Sequence, residues 1–341
     1  MGKKRAREMT RSSGRSRGGH AAPDLLVVIV GPTAVGKTDV SVEVAARLGG
    51  EVVSADSMQV YRHMDIGTAK PSPAERARVP HHLIDVADPG ETFNVARFQE
   101  LAQAAMDDIM ARGRFPLLVG GTGLYVKAVV DGFLFPWEGA SPELRKELQE
   151  EAERLGAPAL HARLEEVDPV AARRIHPNDA RRIIRALEVY ATTGRPISEM
   201  WRMGRRGGFR IDRLVMIGLV RNREALYERI DRRCDLMMEQ GLVDETRRLL
   251  EQGYERALTA GQALGYKEIV EHLQGRCPLD EAVETIKRNT RRYAKRQLTW
   301  FRADPRIKWV DLGSLATVSE AATCLIALVR GKLAAMQNVE G

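Results

Sequence analysis

Residues Gly31 to Thr38 read GPTAVGKT, the pattern G-x-x-x-x-G-K-[ST]. The uncharged run LLVVIV, Leu25 to Val30, comes immediately before it, and helical spacing at Val40, Val44 and Leu48 comes after. A strand, a tight glycine-containing loop and a helix in that order leave little freedom. The loop's backbone N–H groups must converge at a helix N-terminus, where they form an anion site. A continuous apolar run is the mark of a strand buried on both faces, as in a parallel sheet. In this pattern the lysine, Lys37, faces phosphate and the hydroxyl of Thr38 faces a magnesium ion. The motif does not say whose phosphate it holds.

The alternation continues. Gly49-Gly50 stops the first helix, EVVSADS reads as a second strand, FQELAQAAMDDIMARG as an amphipathic helix, and FPLLVGGTG as a third strand with a glycine-rich turn. After Trp137 the pattern is helical. Ser141 is an N-cap with Pro142 at the first helical position, Gly156 is a stop, and NDARRIIRALEVYATTG forms a further helix. Gly204 to Gly208 is a basic loop, RLVMIGLV returns to strand character, IKWVDL reads as a last strand, and a final helix runs from about Val318 to Met336. The expected fold is α/β, a P-loop NTPase-like parallel sheet flanked by helices, with an inserted helical domain. Its expected divisions are a disordered basic tail over 1–23, the core over 24–136, the insertion over 137–208, a return to the core with basic C-terminal helices over 209–317, and a C-terminal helix over 318–341.

Composition narrows the class further. Of 341 residues, 44% are hydrophobic and 29% charged, which suits a soluble globular chain, and no apolar run is long enough to span a bilayer. Three scattered cysteines with no C-x-x-C fit a reducing, cytoplasmic setting better than a disulfide framework or zinc site. The net charge is only +7, so the placing of the cations matters more than their sum. They concentrate in KRNTRRYAKRQLTWFR. There Lys287, Arg288, Arg291, Arg292, Lys295, Arg296 and Arg302 surround Ile286, Tyr293 and Trp300 at heptad spacing. A helix that packs on the apolar stripe would show the cations to a polyanion. The tail Met1 to Pro23 reads as a solvated arm. His81 and His82 read as packing or hydrogen-bonding residues.

A nucleotide hydrolase needs a carboxylate at the end of an apolar strand to hold its metal, and LLVGGTG has none. Asp56 instead ends the second strand, in SADSMQVY, where it can face an acceptor. An Asx turn over Ser57 to Gln59 is the structural alternative for Asp56. Gln59 carries the donor and acceptor pair that could read a nucleobase edge.

The blocks GPTAVGKT, SADSMQVYRHMDIGTAKP, PHHLIDV, LVGGTGLYVKA, NDARRIIRALEVY, QALGYKE and KRNTRRYAKRQLTWFR together resemble the tRNA dimethylallyltransferases. The likeness runs from Leu25 to Phe301. It implies transfer of a dimethylallyl group from its diphosphate to the exocyclic amine of the adenosine 3′ to the anticodon. It implies that Gly31, Pro32, Thr33, Ala34, Val35, Gly36, Lys37 and Thr38 hold the donor's diphosphate, with Mg²⁺ on Thr38 and a second clamp at Arg223. It implies tRNA contacts at Asp56, Ser57, Met58, Gln59, Thr122, Arg145, Arg181, Arg182, Ile183, Ile184 and Arg185, and at Gln262, Ala263, Leu264, Gly265, Tyr266 and Lys267. Catalysis falls to Asp56, Lys37 and Arg223. The partners implied are a tRNA anticodon arm and dimethylallyl diphosphate, with no membrane and a monomeric chain. A small-molecule or nucleoside kinase, with ATP on the same loop and Asp56 as base, is the rival reading. A non-enzymatic RNA-binding nucleotide switch is the third.

Overall fold

The computed structural model describes residues 25–132, 141–203, 211–253, 255 and 263–340. The expected tail, the basic loop 204–208 and Gln262 lie outside the described residues. Six parallel strands form one sheet in the order β3-β2-β4-β1-β5-β6. They are β1 (Leu26–Val30), β2 (Glu51–Ser54), β3 (His81–His82), β4 (Pro116–Gly120), β5 (Leu214–Val220) and β6 (Ile307–Asp311). Strand β1 is fully buried and lies between β4 and β5, with Val27 opposite both Leu117 and Val215. This is the both-faces-covered environment that its continuous apolar run demands.

Helices α1 (Lys37–Leu48), α2 (Pro73–Arg78), α3 (Val95–Ala111) and α4 (Gly123–Asp131) belong to the first half. Between β4 and β5 run α5 (Pro142–Leu155), α6 (Ala157–Val167), α7 (Pro169–Ala172), α8 (Ala180–Thr193) and α9 (Ile197–Met203). These five have a core of their own around Leu148, Leu160, Leu164, Ile183 and Leu187, separate from the core of the sheet. Ser141 caps α5 by accepting from Leu144 N, and Asp179 caps α8 by accepting from Arg182 N.

The second half adds α10 (Arg223–Glu239), α11 (Leu242–Glu251), α12 (Tyr266–Leu273), α13 (Leu279–Arg302) and α14 (Val318–Glu340). Helix α14 packs against α1, where Arg47 reaches Ser319 and Thr323. No helix among the described residues is long and apolar enough to cross a membrane.

The edge strand β3 was not visible as a strand in the sequence, being two residues long. His81 and His82 act there as hydrogen-bonding residues: His81 Nδ1 meets Val79 O at 2.8 Å, and His82 Nε2 meets Glu51 at 2.7 Å. Glu51 is buried at the opposite end of β2 from the phosphate loop. Hydrogen bonds from Arg112, helped by His82, push its carboxyl down to about 2, which makes it a structural anchor. The expected apolar stripe on α13 holds at Ile286 but not at its end, since Trp300 remains 44% exposed although its indole lies against Gly123.

Candidate active site

The turns that follow β1, β2 and β4 meet at the C-terminal edge of the sheet, where parallel α/β folds place their ligands. Gly31 is required at the first of them. It adopts φ 154°, and a Cβ there would come within 2.7 Å of Leu219 O on the neighbouring strand. Past Gly36 the chain enters α1, and Lys37 folds back over the loop, donating to Gly31 O at 3.0 Å and Pro32 O at 2.8 Å.

The loop is braced from the second half of the chain. Arg221 donates to Val35 O at 3.0 Å and Arg229 to Ala34 O at 2.9 Å. Gln297 of α13 is buried and bridges two turns. Its Oε1 accepts from Thr33 N at 2.9 Å and its Nε2 donates to Gly121 O at 2.9 Å. A Cβ at Gly121 would sit 2.2 Å from that amide nitrogen, so glycine is the residue that lets α13 approach.

A cavity of about 1160 Å³ opens beside the loop, lined by Thr33, Lys37 and Thr38 on one side and by Arg229, Arg232 and Arg233 of α10 on another. A smaller one of about 280 Å³ shares Thr33, Ala34, Asp56, Thr68, Arg233, Met237 and Tyr293 with it and continues past Ser57, Met58, Ala263, Leu264 and Gly265. Asp56 lines both. Its Oδ1 accepts from Met58 N at 2.9 Å and Gln59 N at 3.4 Å, so the Asx turn is present and the carboxylate is fixed where the cavities meet. Ser57 N donates to Thr122 Oγ1 at 3.0 Å, which ties the β2 turn to the β4 turn.

The electrostatics call for an anion. Burial brings the Lys37 ammonium down to about 8, against the pull of Asp56, and nearby Arg233 adds to the lowering. Arg233 is itself lowered by burial, and Asp56 is again the opposing charge. Two half-buried cations therefore share one carboxylate, and a polyanion would relieve both. At the outer rim the cations are already matched. Lys70 pairs with Asp65 and Asp85 at 2.6 Å each, and Arg62 pairs with Asp88 at 2.7 Å. Burial pushes the Tyr293 phenol up to about 12 and the Cys234 thiol up to about 11, so neither serves as a base or nucleophile in the walls they form.

Several expected contacts are placed differently. Arg223 is exposed at the first turn of α10, 5.2 Å over the ring of its own Tyr227, and does not line either cavity. Ten residues at about 100° each put it well off the side that carries Arg233. Arg229 and Arg233, four apart, hold the cavity-facing positions, and that spacing was the available signal. Ile183 and Ile184 are core residues of the insertion, so their side chains pack inward, whereas Arg181 and Arg182 are exposed. Arg145 donates to the buried Glu188 at 2.9 Å, and Arg185 donates to the same carboxylate at 2.8 Å. The Gln59 amide, expected to offer its donor and acceptor to a base edge, is engaged here with Thr68 O, Ala69 O and Ser54 Oγ. Tyr266 and Ala263 are buried, and Lys267 is exposed. On α13, Lys287 pairs with Asp235 at 2.8 Å and Arg291 with Asp231 at 2.6 Å, leaving Arg288, Arg292, Lys295, Arg296 and Arg302 as its exposed cations.

A phosphate loop facing a strand-end carboxylate, with α10 supplying cations across the cavity, defines a P-loop-type α/β enzyme built to move a group from a phosphorylated donor. The family model for IPP transferase matches residues 59–304, and that for isopentenyl transferase matches residues 25–85. The chain is 52% identical over 297 residues to the tRNA dimethylallyltransferase of Carboxydothermus hydrogenoformans, covering 86% of this chain and 95% of that one. Among solved structures it resembles the tRNA isopentenylpyrophosphate transferase of Bacillus halodurans (TM-score 0.70, 48% identity, 93% of this chain and 99% of that one). It also resembles a eukaryotic dimethylallyltransferase studied acting on tRNA (TM-score 0.74, 31% identity, 88% and 77%). The chain belongs to the tRNA dimethylallyltransferase family.

Proposed function

We propose that this protein transfers a dimethylallyl group from dimethylallyl diphosphate to the exocyclic amine of the adenosine 3′-adjacent to the anticodon, releasing diphosphate. The observation that carries this is the place of Asp56 where the two cavities join, in a lining that also holds Lys37 of the phosphate loop and Arg229 and Arg233 of α10. The diphosphate lies against the loop amides, Lys37, Arg229 and Arg233. The adenine amine enters from the smaller cavity and meets the allylic carbon beside Asp56. Attack forms the N–C bond as the C–O bond to diphosphate breaks. Asp56 takes the proton shed by the amine. The target base must leave its stack to get there, at a cost of a few kcal/mol.

A magnesium ion fits this donor set. Among the described residues no three His, Cys, Asp or Glu side chains form a metal cage. Thr38 offers one hard oxygen in the cavity, the hydroxyl that faces Mg²⁺ in this loop motif, and Mg²⁺ keeps waters and substrate phosphates as its other ligands. When bound it would neutralise charge on the departing diphosphate.

Competition separates this reading from the kinase. Dimethylallyl diphosphate should displace a fluorescent diphosphate probe far better than ATP does, and tighter binding of ATP would favour the kinase. Donor affinity should also depend on pH in a definite direction. The charged form of Lys37 binds the diphosphate, so once the donor is fully ionised, above about pH 7, affinity is level to about 8 and falls as pH rises through it, approaching about tenfold per unit. Lys37→Ala should abolish that inflection, which binding measured from pH 6 to 10 would show.

The exposed cations of α13 are proposed to meet tRNA phosphates. Each phosphate contact steepens the salt dependence of binding by roughly 0.7 in log K against log salt for single strands. Arg288, Arg292 and Arg296 changed together to Gln should flatten that slope by about 2. An unchanged slope would place this helix away from RNA phosphates.

A further inference from the structure

Three consecutive amides of the loop between β2 and α2 point at one buried carboxylate from the other half of the chain. Asp65 N, Ile66 N and Gly67 N donate to Glu245 of α11 at 3.1, 3.0 and 3.2 Å. Tyr266, the first residue of α12, donates its phenol hydrogen to the same carboxylate at 2.5 Å. Glu245 is 4% exposed and Tyr266 fully buried. Successive backbone N–H groups make a cradle for an anion, and here the anion is the protein's own side chain.

The loop is shaped around this contact. Thr68 Oγ1 donates to Met64 O at 2.6 Å, Lys70 N to Asp65 O at 3.1 Å and Ala69 N to Ile66 O at 2.9 Å. His63 and Ala69 bracket it with φ of 64° and 44°, left-handed values that non-glycine residues hold only where the surroundings over-determine them. Gly67 lies against the Tyr266 ring, so closely that a Cβ would come within 2.5 Å of it.

The far side of the loop reaches the chemistry. Thr68 O and Ala69 O accept from the Gln59 amide at 3.3 and 3.2 Å, and Gln59 N donates in turn to Asp56 Oδ1. Hydrogen bonds joined by short stretches of backbone and by the Gln59 side chain thus connect Glu245, through the loop, to the carboxylate between the two cavities. We propose that Glu245, supported by Tyr266, is a positioning residue: it fixes the loop that fixes the Asp56 turn, and so sets the rate of transfer without touching donor or tRNA. The inference rests on the assignment of Asp56 as the base.

The test starts from Glu245→Gln, which keeps the volume but turns an NH₂ against backbone donors. Its single-turnover rate at saturating donor and tRNA should fall about ten- to a hundredfold, the usual effect of a small misplacement at a reacting centre. Both affinities should stay within about threefold, because the loss is confined to the reacting step. Gln59→Leu should give a similar loss, and the double variant should lose little more than the larger single, since the two act in series. Tyr266→Phe keeps the three amide bonds and should show a smaller loss with the same rate-against-affinity split; it carries the test if Glu245→Gln does not fold. A folded Glu245→Gln variant, or failing that Tyr266→Phe, with an unchanged saturating rate would overturn the proposal, as would losses that multiply in the double variant. Amide exchange supplies a readout that needs no activity. In Glu245→Gln, or in Tyr266→Phe if that variant is used, Met58 N and Gln59 N should exchange faster together with the amides of 65–67. Faster exchange confined to 65–67 would also overturn the proposal. A parent protein that makes no product would count against the transferase reading, and exchange would still decide this one.

Discussion

Asp56→Asn is expected to slow single-turnover transfer by about 10²–10⁴-fold, the usual worth of a positioned base. An exocyclic amine is a weak nucleophile because its lone pair is delocalised into the ring, and bond formation leaves it cationic until a proton departs. Asp56 lies at the junction of the two cavities and is held by two backbone amides on one oxygen, so the Asn side chain can occupy the same turn. The turn, the fold and most of the tRNA affinity should therefore survive, and the loss should be in rate. Rapid quench at saturating donor and tRNA measures it. Near-parental rates would move the proton to diphosphate or water and leave Asp56 a recognition residue.

Lys37→Ala should weaken donor binding and transfer by about 10²–10³-fold, as expected when a preorganised donor aimed at negative charge is removed. The lysine sits over the loop carbonyls with its ammonium already lowered by burial, so a diphosphate would restore a charge balance that Asp56 alone does not supply. tRNA affinity should change little, because Lys37 does not line the smaller cavity and the exposed cations of α13 and α8 are untouched. Equilibrium binding of each substrate separately checks this. Lost tRNA binding with intact donor affinity would contradict the assignment of the loop.

The sequence was most informative where the signal is local. The run LLVVIV, the glycines of the loop, the cap at Ser141 and the strand-end position of Asp56 each depend on a few neighbouring residues, and each was readable as a strand, turn, helix start or carboxylate. Strand β3 was missed because two residues carry no period. The clamp at Arg223 was misplaced by reading a motif without its helical phase; Arg229 and Arg233 share the cavity side, and Arg223 does not. Gln297, Arg221 and Glu245 had no local signal at all. Gln297 reaches Thr33 across a separation of 264 residues and Glu245 reaches Asp65 across 180, so only the folded chain brings them to the site. The same holds for QALGYKE. Its Tyr266 reads as a recognition residue in one dimension and is a buried brace in three.

Nucleoside analysis of a single reaction shows whether the protein prenylates tRNA. Purified protein, dimethylallyl diphosphate, Mg²⁺ and unmodified tRNA are incubated together, and the tRNA is digested and examined by mass spectrometry. N6-(dimethylallyl)adenosine is the expected product, formed at the position 3′ to the anticodon and absent when donor is omitted or Asp56→Asn is used briefly. Unmodified adenosine throughout, with phosphate transferred from ATP to a small acceptor by the same protein, would contradict the transferase reading.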